Sequence, residues 1–351
     1  MNNSIEKIRE IMSLKNCDGV IINNAGDVRY LSGLKSSNIA ILITPDNAFV
    51  LSDGRYKFLI ERQSVFIPIC ITKGIYESLA DLINEQRLKC VMIDPSEISH
   101  KNYRMLSEKI NLVDYEKITE KLRIIKKDEE IHNIITAQKI ADKAFNDILK
   151  LINPGMSTKE IAALLDYKMA VYGSEEPAFS TITVNEDESA DCHGVPSDKK
   201  VNNGDLILFD FGATYNGYRS DITRTIALGS ITEEKKRIYD LVLKAHTEAV
   251  RILKPGILCS TVDEAARKCF REQGLEEYFI HSLGHGVGID IHEAPTLNKK
   301  SDVILEKNMI VTVEPGLYFK DKFGVRIEDT YLITENGCKS LTNIEKKLII
   351  I

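Results

Sequence analysis

Hydrophobic positions along this chain follow two regimes. Between residues 4 and about 122, short apolar runs alternate with stretches of helical period. A helix near 4–15 precedes Gly19-Val20-Ile21-Ile22, and Ala40-Ile41-Leu42-Ile43 and Phe49-Val50-Leu51 follow as strands. Further strands are predicted at Val65–Ile71 and Val91–Ile93, with helices near 54–64, 75–87 and 97–110. Strands interleaved with helices over about 120 residues describe an α/β domain large enough for its own core. Its polar groupings, Val28 to Gly33 and Ser52-Asp53-Gly54-Arg55-Tyr56, read as turns and helix starts.

The second regime begins at a charge-rich junction, Leu122 to Glu130. It opens an amphipathic helix with Ile131, Ile134, Ile135, Ala137, Ile140, Ala141 and Ala144 on one stripe. The domain boundary is placed there, giving domains 1–122 and 123–351. Pro154-Gly155 ends the helix, and the capping box Ser157-Thr158-Lys159-Glu160 opens another that Gly173 stops. Two more helices are predicted near 232–252 and 261–274. Between these pairs, the buried strand Leu206-Ile207-Leu208-Phe209 runs into Asp210, and Asn216-Gly217 supplies a hairpin turn. With those two as turn residues, Asp210 faces Thr223 and Asp221 lies on the same face, roughly 7–8 Å away at the backbone. Buried like charges that close raise each other's pKa, so the pair calls for a metal or a shared proton.

Composition narrows the function. The chain has 351 residues, 43% of them apolar, and 46 Lys plus Arg against 52 Asp plus Glu, with no basic stripe. Nucleic acid and anionic membrane are therefore poor partners. The amino terminus lacks the apolar core of a signal peptide, and no stretch approaches a membrane span. Seven cysteines without a Cys-x-x-Cys pair argue for reduced thiols and a cytoplasmic location.

The remaining chemistry lies late in the chain. Three of the seven histidines, His281, His285 and His292, fall within twelve residues, and glycines flank His285. An apolar strand ends at Glu314 before Pro315-Gly316. In Gly324-Val325-Arg326-Ile327-Glu328, alternation puts Arg326 and Glu328 on one face. His193 sits in a Gly- and Pro-rich loop, Cys192-His193-Gly194-Val195-Pro196.

The motifs DFGATYNGYRSDITRT, HSLGHGVGIDIHEAP, VTVEPGLY and GVRIEDT resemble those of the pita-bread-fold peptidases, the family of methionine aminopeptidase, aminopeptidase P and prolidase. The first 122 residues resemble the creatinase-like domain that precedes the catalytic one in the proline-specific branch. The resemblance implies an α+β protein of two domains with metal ligands Asp210, Asp221, His285, Glu314 and Glu328. Two divalent ions are implied, Mn²⁺ or Co²⁺ first and Zn²⁺ or Fe²⁺ next, since oxygen donors with one imidazole suit them. It further implies a bridging hydroxide as nucleophile, Glu314 as proton shuttle, and His193, His292 and Arg326 acting on the substrate. Substrates would be small peptides with proline second, and the assembly a homodimer. One departure stands out: Val184-Asn185-Glu186 and Cys192-His193-Gly194 resemble methionine aminopeptidase. Methionine removal is thus the alternative activity, and a non-catalytic peptide-binding module is the alternative from another class. A binding module predicts broken ligand positions, whereas all five are filled here.

Overall fold

The computed structural model describes residues 2–36, 38–63 and 65–351. The chain divides into two compact units, Met1–Arg123 and Ile124–Ile351. The first unit carries helices α1 (Asn2–Leu14), α2 (Ala25–Ser32), α3 (Lys57–Gln63), α4 (Ile75–Glu85), α5 (His100–Ser107) and α6 (Glu120–Arg123). Its strands β1 (Gly19–Ile22), β2 (Ile39–Ile43), β3 (Ala48–Asp53), β4 (Ile67–Ile71), β5 (Val91–Ile93) and β6 (Leu112–Asp114) form one mixed sheet in the order β4-β3-β2-β1-β5-β6. Both faces of its central strands are apolar and buried, as expected of a sheet with helices on either side.

Three details depart from the sequence reading. The segment Val28 to Gly33 is mostly helix: Asn24 caps α2 by accepting from Gly26 and Asp27, and Gly33 ends it with φ +73°. The helix expected over 54–64 starts as a 3₁₀ turn, Gly54–Tyr56, before α3, and residue 64 lies outside the described residues. Cys17 and Cys90 form a disulfide, where reduced thiols are expected from the sequence. Each precedes a strand, and β1 pairs with β5 in parallel. The parallel register therefore brings together cysteines 73 residues apart, and no short spacing signals it.

In the second unit, helices α7 (Asp128–Ile148) and α8 (Thr158–Val171) back a three-stranded antiparallel sheet of β7 (Ile182–Asn185), β8 (Leu206–Phe211) and β11 (Ile222–Ala227). The hairpin strands β9 (Thr214–Tyr215) and β10 (Tyr218–Arg219) lie between β8 and β11. Helices α9 (Glu233–Arg251) and α10 (Cys259–Arg271) back the other half. There β12 (Gly284–Gly286), β13 (Glu293–Leu297), β14 (Ile310–Val313), β17 (Asp329–Ile333) and β18 (Cys338–Ser340) form an antiparallel sheet in the order β13-β12-β14-β17-β18. A two-stranded ribbon, β15 (Gly316–Phe319) with β16 (Phe323–Arg326), completes this unit.

The expected local signals act where they stand. Ser157 accepts from the Glu160 amide at 3.1 Å while Glu160 accepts from Ser157 at 2.6 Å, closing the capping box of α8. Asn216 and Gly217 turn with φ +47° and +78°, the sign a two-residue hairpin loop requires. Asp210 accordingly pairs with Thr223 across β8 and β11. Beneath Asp210 the strand is pinned by aromatics: Phe145 stacks on Phe211 at 5.2 Å and meets Phe209 edge-on at 5.3 Å. No helix among the described residues is long and apolar enough to cross a membrane.

Phe145 is fully buried, so Phe145→Ala leaves a cavity under the strand that carries Asp210. The expected loss is about 3–5 kcal/mol. Urea titration should show it as a lower midpoint with unchanged slope, and an unchanged midpoint would contradict the packing role.

Candidate metal centre

A pocket of about 690 Å³ opens in the second unit, and Asp210, Asp221, His285, Glu314 and Glu328 all line it. Asp210 stands near the end of β8, and Asp221 immediately precedes β11. His285 is the middle residue of β12, Glu314 follows β14, and Glu328 lies in the two-residue break between β16 and β17. Sheet register does the gathering. Gly284 lets β12 lie tight on β14, since a Cβ there would fall 2.0 Å from the Thr312 carbonyl. Glu328 donates its backbone N–H to the Thr223 carbonyl at 3.1 Å, tying one acidic strand end to the other.

One donor atom each from Asp221, His285 and Glu328 lies within 4.8 Å of the others. His285 Nε2 is 3.6 Å from Asp221 Oδ2 and 3.3 Å from Glu314 Oε1. His285 Nδ1 faces the Gly286 carbonyl at 3.0 Å; a carbonyl only accepts, so Nδ1 carries the proton and Nε2 presents its lone pair to the acids. Burial lowers the His285 pKa to about 4, which keeps the ring neutral as a ligand must be.

The carboxyl groups show the strain of sharing one pocket. Burial, then the charges of Glu328, Asp210 and Glu314, raise Asp221 well above the usual carboxylate range. Glu328 is raised likewise by burial, Glu314 and Asp210, and Glu314 is pushed up to about 8, chiefly by burial. Two buried oxygens, Asp210 Oδ1 and Glu328 Oε1, have no hydrogen-bond partner among the described residues. Unsatisfied buried carboxylate oxygens beside a neutral imidazole lone pair are what a bound divalent cation satisfies, so the residues present fit such a group.

Arg326 takes a different position from the one expected. Its guanidinium is buried and holds Asp210 Oδ2 at 2.5 Å, Tyr318 Oη at 2.8 Å, Thr223 Oγ1 at 3.1 Å and the Cys192 carbonyl at 3.3 Å. These bonds use four of its five N–H groups, so a bidentate grip on a substrate carboxylate would break one of them. Tyr318 continues the chain to His281 Nε2 at 2.9 Å. His281 Nδ1 faces the Ser282 carbonyl at 2.8 Å and so carries the ring proton, which makes Tyr318 the donor to Nε2. Burial and the nearby Arg326 lower the His281 pKa to about 3. His281 is thus linked to Asp210 through Tyr318 and Arg326. Tyr318 and Thr223 were missed as site residues. Tyr318 was findable, because it is two residues beyond Gly316 on the strand after Glu314 and shares its face.

His193 and His292 line the same pocket and are exposed to it. The His292 ring stands 4.4 Å from that of His285, edge to face. Phe179, Ile182, Val195, Pro196 and Ile291 supply an apolar wall. Of the two segments that resemble methionine aminopeptidase, Cys192-His193-Gly194 lines the pocket, and the other has another use: Val184 and Asn185 are fully buried, and Asn185 holds Asp205 at 2.7 Å. Glu186 accepts from the Leu206 amide at 2.8 Å and from Lys235 at 2.6 Å. These three residues brace the start of β8 and are not among the pocket's lining residues.

The comparisons with known proteins agree with this geometry. The model of metallopeptidase family M24 matches residues 132–335, and that of the creatinase/prolidase N-terminal domain matches residues 4–125. A Xaa-Pro dipeptidase of Pyrococcus furiosus is 39% identical over 352 residues, covering 99% of this chain and all of that protein. Among solved structures, a Xaa-Pro dipeptidase from Bacillus anthracis superposes with a TM-score of 0.96 at 36% identity, covering 99% of each chain. An X-Pro aminopeptidase from Thermotoga maritima gives 0.89 at 34% identity, covering 96% of this chain and 98% of that one.

The acid pKa values set a pH dependence. Glu314, raised from 4.5 to about 8, binds its proton more tightly folded than unfolded. The contribution of Glu314 to the stability of metal-free protein is therefore lost as pH rises through that window; Asp221 and Glu328 act in the same direction, and the buried His246, His281 and His285, with lowered pKa, act in the opposite one below about pH 6.5. Melting temperatures of chelated protein from about pH 5 to about pH 8.5 should fall less steeply for Glu314→Gln than for wild type. Equal slopes would refute the assignment.

Proposed function

The chain belongs to metallopeptidase family M24 and carries a creatinase/prolidase N-terminal domain, and on that premise we propose that it hydrolyses the peptide bond between an N-terminal residue and proline. The observation that carries this reading is the convergence of four carboxyl groups and one neutral imidazole on a buried wall, with two carboxylate oxygens lacking a hydrogen-bond partner among the described residues. Asp210, Asp221, His285, Glu314 and Glu328 would hold two divalent cations, Mn²⁺ or Co²⁺ by the oxygen-rich donor set. When bound, such ions polarise the scissile carbonyl and bring the acidity of a water close to neutral pH.

The chain's own groups supply the rest. Arg326 orients Asp210 and is itself fixed by Tyr318 and Thr223. Glu314 takes the proton of the attacking water and delivers it to the proline nitrogen as the peptide bond breaks. His292 donates a hydrogen bond to the substrate carbonyl oxygen, where charge develops in the transition state. His193, on the exposed rim, lies over the leaving side. The apolar wall around Ile291 receives the proline ring, which has no N–H to satisfy. The methionine aminopeptidase reading rested on Val184-Asn185-Glu186 and Cys192-His193-Gly194; the first segment is absent from the pocket lining, whereas the second lines it, and turnover of Met-Pro against Met-Ala-Ser separates the two activities.

Turnover of Met-Pro, of a longer Xaa-Pro-Xaa peptide and of Met-Ala-Ser, with Mn²⁺, Co²⁺ or chelator, tests the proposal. Both proline substrates should be cut far faster than Met-Ala-Ser, and chelation should abolish activity. Undiminished hydrolysis by metal-stripped protein, or preference for Met-Ala-Ser, would overturn it. Glu314→Gln should lower turnover by about 10²–10⁴ in folded protein, as expected for losing a general acid–base. A loss below tenfold would return Glu314 to an ordinary strand-end residue.

A further inference from the structure

One buried ion pair has no part in the chemistry above. Lys126 Nζ lies 3.0 Å from Glu293 Oε2, with the two side chains 1% and 6% exposed. Each partner is fixed at its own backbone. Lys126 donates its N–H to the Asn308 carbonyl at 2.9 Å, and Glu293 opens β13, pairing with Gly286 of β12. The other Glu293 oxygen accepts from the Asp290 amide at 3.1 Å. Gly288 packs on the same carboxylate, with space for no Cβ: one would fall 2.5 Å from Oε2. The loop from Val287 to His292 is therefore wound around the carboxylate that Lys126 holds.

His292 is the last residue of that loop. Its ring is exposed to the pocket and has no hydrogen-bond partner among the described residues; it stands edge to face with the His285 ring, 4.4 Å away. Its direction is thus set by its backbone, and its backbone by the neighbouring Glu293. Stability does not account for the pair, because apolar replacement of a buried ion pair is often neutral or stabilising. What the pair adds is a directional tie with one geometry.

From this geometry we propose that Lys126 is a positioning residue for the reaction, acting through Glu293 to hold the loop that aims His292 at the substrate carbonyl. The proposal rests on the reading that His292 touches substrate. Lys126→Met should lower kcat at least tenfold, with KM within about twofold, metal content unchanged and only a small shift in melting temperature. Lys126→Arg should restore most of the loss.

Coupling to His292 separates positioning from a merely structural effect. Added to His292→Ala, Lys126→Met should cost less than about twofold, since there is no ring left to aim. An equal fold loss in both backgrounds, or full activity of Lys126→Met, would overturn the proposal. If Lys126→Met does not fold, Glu293→Gln replaces it, with the same coupling expected and the same additive result refuting it. Full activity of His292→Ala alone would overturn both this inference and the role given to His292. A large loss in His292→Ala with additive behaviour would overturn the positioning role alone.

Discussion

Four carboxyl groups in one buried pocket govern how the catalytic unit is built. Their charges cannot be dispersed by water, so each must find a cation or keep a proton. Asp210 is compensated within the protein, by the buried guanidinium of Arg326 at 2.5 Å. Asp221, Glu314 and Glu328 form no ion pair with Arg or Lys among the described residues, and although the Arg326 charge favours their ionised forms, all three are shifted toward the protonated form, with burial the largest cause. The site is therefore asymmetric before any metal enters. One acid is held by a guanidinium, and the other three give up protons as divalent charge arrives, so uptake of the proposed cations is coupled to proton release.

Holding that repulsion together falls to the surrounding sheets. Thr223 is the hub: its carbonyl receives the Glu328 amide, its hydroxyl donates to Glu328 Oε2 at 2.7 Å, and the same hydroxyl accepts from Arg326 at 3.1 Å. The antiparallel register of β8 with β11 places Thr223 opposite Asp210. Behind it, aromatic packing of Phe145 on Phe209 and Phe211 keeps the strand from yielding. Each device works against displacement of the acids, which mutual repulsion favours.

What the sequence made legible was backbone. A two-residue Asn-Gly turn sets hairpin register, so the facing of Asp210 and Thr223 follows from position 216 alone. Alternation placed Arg326 with Glu328, and both indeed reach Thr223. Partner choice by long side chains was not legible. Nothing local says that Arg326 turns inward to Asp210 and Tyr318, that Lys126 reaches a residue 167 positions away, or that Cys17 meets Cys90. Those contacts depend on which strands become neighbours, and a pattern of period two or 3.6 carries no such information. The likeness to another branch divides in the same way: Val184-Asn185-Glu186 braces a strand, whereas Cys192-His193-Gly194 lines the pocket.

The same construction occurs at two places in the site. Glu328 faces the pocket, and the next residue, Asp329, is buried on Arg224 at 2.6 Å, on Lys346 at 2.6 Å and on Tyr331 at 3.0 Å. His292 faces the pocket, and the next residue, Glu293, is buried on Lys126. In extended backbone, neighbouring side chains point to opposite sides, so the residue beside a functional group is directed into the protein. An apolar residue there would pack as well but could slide or rotate within the core. A buried carboxylate cannot move without leaving an uncompensated charge, which costs about 3–5 kcal/mol when one partner is lost. Arg224 strengthens the tie by also donating to the Glu328 and Thr223 carbonyls, so the anchor of Asp329 and the backbone of the neighbouring acid share one guanidinium. Buried charge beside the pocket thereby fixes the direction of charge within it.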